Sequence, residues 1–83
     1  MKYAYPATVA EDSEEPGKFN ICIPDIYGAV AEAYGEENIM GVAEDLLTEM
    51  IMVASNQLGE PHTVAEAEKA FPSKKIIWVE VEY

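Results

Sequence analysis

Apolar and polar positions alternate from Lys2 to Val9, with Tyr3, Tyr5, Ala7 and Val9 on one side and Lys2, Ala4, Pro6 and Thr8 on the other. A period of two predicts a strand, and Pro6, which lacks an N–H, belongs on an edge or at a bulge. Glu11 to Gly17 is rich in carboxylates and closes on Pro16-Gly17, a turn signal. Phe19, Ile21 and Ile23 then alternate with Lys18, Asn20 and Cys22, so the two runs read as a β-hairpin. Pro24-Asp25 stops the second strand. A short third run, Ala29 to Tyr34, precedes Gly35-Glu36-Glu37-Asn38.

At Ile39 the pattern changes to a helical one. Ile39, Val42, Ala43, Leu46, Met50, Val53 and Ala54 share a face, while Glu44, Asp45, Thr48, Ser55 and Asn56 lie opposite. Asn38 stands where an N-cap side chain accepts from the first turn, and the helix is expected to run to about Leu58, stopped by Gly59 and Pro61. Met40, Leu47, Ile51 and Leu58 widen the apolar arc to about half the circumference, more than a one-sided stripe needs. Either the helix lies deep in a curved sheet, or these four residues form a homo-oligomer interface. Thr63-Val64-Ala65-Glu66 is a capping box and starts a short helix to about Ala70, broken at Phe71-Pro72-Ser73. Ile77, Val79, Val81 and Tyr83 alternate with Glu80 and Glu82 in a final strand. The expected class is α+β, ordered β-β-β-α-(short helix)-β. A three- to four-stranded, mainly antiparallel sheet would carry the long helix, with both helices on one face.

Composition narrows what such a domain can do. The 83 residues make one domain, residues 1–83, with sixteen Asp or Glu against five Lys and no Arg, a formal net charge of -11. Nucleic-acid affinity comes largely from neutralising phosphates, so direct DNA or RNA binding is excluded, as is attraction to anionic membranes. No apolar run is long enough for a membrane span, and the early Glu11 and Asp12 do not fit a signal peptide. The single Cys22 cannot form an internal disulfide, so a reducing cytoplasm is expected. An acidic domain suits a basic protein partner, with charge raising the encounter rate.

Catalytic candidates are few. His62 is the only histidine, has no Ser or Cys nucleophile placed beside it, and reads as a solvated loop residue ahead of a helix cap. Cys22 lies mid-strand with only Lys18 nearby in sequence to activate it. The cluster Glu11-Asp12-Ser13-Glu14-Glu15 lacks calcium-loop ligand order, and Glu44, Asp45 and Glu49 read as a solvated helix face. The glycines are too widely spaced for a phosphate loop. No cofactor, metal or catalysis is expected.

Several segments resemble HicB-type antitoxins. Tyr3-Ala4-Tyr5-Pro6-Ala7 resembles that family's first strand. Phe19 to Ile23 followed by Pro24-Asp25-Ile26-Tyr27-Gly28 looks like its second strand and Pro-Asp-Leu-Pro-Gly-Cys signature. The long helix after Gly35-Glu36, the Gly59-Glu60-Pro61 exit and the closing Val79 to Glu82 strand fall in the same order. This chain departs at Tyr27 (usually Pro), at Ala29 (usually Cys) and in a longer Ala31–Asn38 connection. A partner-binding domain without the C-terminal DNA-binding module that many members carry is therefore expected.

The resemblance implies a non-catalytic fold like a reduced ribonuclease H domain. It further implies a bacterial or phage toxin–antitoxin setting, with a small, basic, RNA-cleaving HicA-type toxin as partner. The contact surface is expected at Asp25, Tyr27, Glu32, Tyr34, Glu36 and Glu37. The rival reading is an orphan adaptor or self-assembling regulator whose partner is not an RNase.

Overall fold

The N-terminal alternation becomes strand β1 (Lys2–Glu11), and the acidic turn returns the chain as β2 (Lys18–Cys22). β3 (Val30–Tyr34), helix α1 (Ile39–Val53), helix α2 (Val64–Ala70) and β4 (Lys75–Glu82) complete the order in a computed structural model describing residues 1–83. The strands form one antiparallel sheet in the order β3-β2-β1-β4. The expected α+β class and element order are both present.

Register explains the core. Tyr5 pairs with Val79, Ala7 with Ile77, Val9 with both Ile21 and Lys75, and Ile21 with Ala31, so their side chains share one face. On that face α1 buries Ile39, Ala43, Leu46, Leu47, Met50 and Ile51. Leu47 is 0% and Ile51 5% exposed. The wide apolar arc is therefore used inside this chain, and Leu47 and Ile51 are not available as interface residues. Of the four interface candidates, Met40 is exposed and Leu58 half-buried, so they form no common surface.

Pro6 sits where a strand tolerates it. β1 is central in the sheet, but β2 pairs with it only from Thr8 onward, and β1 bonds β4 through its odd-numbered residues, as at Met1–Tyr83, so the N–H that Pro6 lacks would face the open side. Pro6 points away from α1, and α2 covers that side: Pro6, Ala67, Ala70 and Phe71 line a common recess. The two helices thus lie on opposite faces, not on one as expected. α2 is too short to reach the β2–β3 half, which leaves Val30, Glu32 and Tyr34 in solvent.

Two helix boundaries also differ from expectation. Asn38 precedes α1 but has helical backbone angles and no capping bond; a 3₁₀ turn at Glu36–Asn38 occupies the entry, and the Asn38 amide donates to the Tyr34 carbonyl at 2.6 Å. α1 ends at Val53, before Leu58. Ala54 leaves helical geometry, and Ser55–Gln57 forms a 3₁₀ turn, consistent with Ser and Asn competing for backbone bonds. Leu58 then forms a bridge with Ile26. The Thr63–Glu66 capping box is present in full.

Candidate functional site: an acidic sheet edge and the clasp beneath it

The β2–β3 connection is anchored by its apolar members. Ile26 and Ala29 are buried, the Ile23 N–H donates to the Ala29 carbonyl, and the Ala29 N–H to that of Ile26. Gly28, at φ 80°, supplies the left-handed step that turns the chain into β3. This inward pull leaves Tyr27 outside, 82% exposed.

From Val30 the period of two places Val30, Glu32 and Tyr34 on the outer face of an edge strand, with Glu36 and Glu37 in the turn that follows. Val30 and Tyr34 are 67% and 57% exposed. Five of the six expected contact residues (Tyr27, Glu32, Tyr34, Glu36 and Glu37) therefore lie along one edge of the sheet.

Lys18 stands beside them, and Lys74 borders the same recess as Val30 and Glu32. The Lys18 ammonium is 3.0 Å from Glu32, 3.8 Å from Asp12 and 4.0 Å from Glu15. Hydrogen bonding to Glu32 holds the Lys18 pKa above its ordinary value, against the opposing effect of desolvation. Asp12 is held below the ordinary carboxyl range, first by the Glu14 backbone N–H and then by the Asn20 amide. Three carboxylates around one lysine leave the edge negative, with the charges of Glu36 and Glu37 unopposed nearby.

Asp25, the sixth candidate, is elsewhere. Its side chain is only 9% exposed. One carboxylate oxygen accepts the His62 backbone N–H at 3.0 Å and the other bonds His62 Nδ1. The Asp25 carbonyl accepts the Gly59 N–H at 2.9 Å, and the Tyr5 hydroxyl donates to the Gly59 carbonyl at 2.7 Å. Asp25 is a clasp joining the β2–β3 loop to the loop before α2, its carboxylate turned inward and away from the acidic edge. His62 is correspondingly more than a solvated loop residue: its ring is 59% exposed but tied to Asp25. That hydrogen bond raises the His62 pKa, with the Asp25 charge adding to it. Sequence alone could not pair residues 37 apart; the available signal was Asp25 and His62 each following a proline.

Asp25, His62 and Glu66 border a recess of about 250 Å³ walled by Pro6, Pro24 and Phe71. No group of three or more His, Cys, Asp or Glu converges as metal ligands would. Cys22 is half-buried on the outer face, and burial pushes its thiol pKa up; the cation near it in space is Lys74, which lowers it less. No helix is long and apolar enough to cross a membrane.

Neither a protein-family model nor a curated protein sequence matches the chain. A chain in the solved structure of the HicA3 and HicB3 toxin-antitoxin complex does match in three dimensions, with a TM-score of 0.68 and 21% sequence identity. The match covers 96% of this chain and 96% of that one. The fold is shared.

Proposed function

We propose that this protein is an antitoxin-like, non-catalytic binding domain that neutralises a small basic HicA-type RNA-cleaving toxin by covering its RNA-binding surface. The observation that carries this reading is the acidic edge: Glu32, Glu36 and Glu37 are exposed beside Tyr27 and Tyr34 on a fold shared with a chain of a toxin–antitoxin complex. Carboxylates on such a surface compete for the cationic groups that would otherwise hold phosphate. Exposed tyrosines supply large contact area at low entropic cost. The chemistry required is occlusion, and no catalytic side chain of this chain takes part.

Co-expression with a HicA-type toxin from the same genome tests the reading. Growth is expected to recover, and the two proteins to copurify. Continued toxicity in the presence of soluble protein would remove the antitoxin role.

The rival reading is an orphan adaptor or self-assembling regulator. The observation favouring it is the exposure of Met52 and Val53 at the C-terminal end of α1, an adjacent apolar pair outside the acidic edge. A concentration-dependent rise in mass by light scattering, lost on Met52→Glu, would support self-assembly.

A further inference from the structure

We propose that a basic partner binds by adding a strand to the free edge of β3. The inference deepens the protein-binding reading and rests on it.

Backbone parity decides which groups are available. The Ile23 N–H donates to Ala29 and the Gly35 N–H to Gly17, so odd-numbered residues of this segment turn their polar groups toward β2. Even-numbered residues turn theirs outward. At the two ends these outward groups are partly occupied: the Val30 N–H donates to the Gly28 carbonyl, and the Tyr34 carbonyl accepts from Asn38. Between them the Val30 carbonyl, both backbone groups of Glu32 and the Tyr34 N–H face out from the sheet. That is the donor and acceptor set a short added strand requires.

Apart from its shortness and the one charge of Glu32, this edge lacks the usual protection. Natural edge strands are commonly blunted by lysine, proline or a bulge. Val30–Tyr34 contains neither residue and keeps an unbroken register with β2. Beneath it, Val30, Ala31, Val42, Asp45, Leu46 and Glu49 line a shallow groove of about 200 Å³. Alternate side chains of an added strand would therefore meet apolar walls rimmed by Asp45 and Glu49 on one face, and Glu32 on the other.

Charge selects the occupant. An antiparallel pairing of two copies using both Glu32 backbone groups would set Glu32 directly opposite itself, and like charges across a ladder are destabilising. An extended segment alternating Lys or Arg with apolar residues instead sets its apolar side chains over the groove and its cations on the face of Glu32, where Asp12, Glu15 and Glu32 share Lys18. The occupant is accordingly a basic extended segment of another protein.

The test uses the capped peptide acetyl-Lys-Val-Lys-Val-Lys-Val-Lys-Val-amide as probe, with its Glu-Val counterpart as control. Backbone amide exchange is followed residue by residue in the full chain by NMR. Saturating Lys-Val peptide is expected to slow exchange at the Glu32 and Tyr34 amides by at least about tenfold, as a new ladder bond protects an open amide. The Glu-Val peptide is expected to leave both unchanged. Failure of the Lys-Val peptide to bind, or binding with unaltered exchange at these two amides, overturns the proposal.

Glu32→Pro removes the outward N–H at a position where an edge tolerates proline; Glu32→Gln keeps it and removes only the charge. Loss of peptide binding is expected for the first, and retained Tyr34 protection at weaker affinity for the second. Equal binding by a folded Glu32→Pro protein contradicts strand addition, while the exchange measurement on the unaltered chain does not depend on either variant folding. A toxin that is neutralised while the Glu32 and Tyr34 amides still exchange freely would overturn the edge mode and leave the antitoxin reading standing.

Discussion

The Asp25 carboxylate binds His62 twice, through the backbone N–H at 3.0 Å and through ring Nδ1, across a separation of 37 residues. The two loops it joins flank the covered half of the sheet's outer face, on which α2 sits. This carboxylate thereby ties the β2–β3 loop, already anchored by Ile26 and Ala29, to the segment that leads into α2.

This clasp carries a pH dependence. The His62 pKa is raised by the Asp25 hydrogen bond. Its contribution is fully present below the unfolded value near 6.5 and is lost as pH rises through the higher folded value. Denaturation followed from pH 6 upward is expected to show a fall in stability that His62→Ala abolishes. An NMR titration of the ring checks the direction of the shift independently.

Gly59 is required by close approach. A β-carbon there would stand 2.3 Å from the Asp25 carbonyl oxygen, which is backbone and cannot swing aside. Gly59→Ala is expected to destabilise by about 1–3 kcal/mol, the usual range for overpacking. Tyr5→Phe, which removes the bond to the Gly59 carbonyl, should cost about 1 kcal/mol. Urea denaturation with unchanged m-values checks both.

The helix is a core element before it is an interface. Leu47→Ala is expected to cost about 2–5 kcal/mol, because Leu47 is fully buried and leaves a cavity. Met40→Ala and Met52→Ala, at exposed positions, should change stability by no more than about 0.5 kcal/mol. Thermal or chemical unfolding of the three variants separates the roles.

Charge at the edge should act on association. Reversing Glu32, Glu36 and Glu37 to Lys is expected to lower the association rate with a basic partner about tenfold or more at low salt. The same change should flatten the dependence of that rate on ionic strength. Stopped-flow or surface-binding kinetics across a salt series reads both.

Cys22 should be a poor nucleophile. Burial raises its pKa, so alkylation of the folded protein near neutral pH is expected to be slower than that of the urea-unfolded chain.

Much of the fold was legible because its rules are local. The period of two marked β1, β2 and β4, and the Thr63–Glu66 spacing located the start of α2 through a reciprocal pair of bonds within one turn. What depended on distant neighbours was not legible. The arc of Met40, Leu47, Ile51 and Leu58 looks the same in sequence whether it meets a sheet or another chain; only the burial of Leu47 and Ile51 separates the cases. Asn38 has the right type and position for a cap, yet the Tyr34 carbonyl takes its amide. Of the expected contact set, Glu32 and Tyr34 share the outer face of β3, a placement that follows from the register with β2. Asp25 was indistinguishable from them until His62 was found beside it.

On the proposed reading, the acidic edge captures and silences a basic toxin. Growth of cells co-expressing this protein with the HicA-type toxin of its own genome tests it most directly. The unaltered chain is expected to restore growth, and reversing Glu32, Glu36 and Glu37 to Lys, in soluble folded protein, is expected to abolish the rescue. Toxicity that persists with the unaltered chain, or rescue undiminished by the triple reversal, would contradict it.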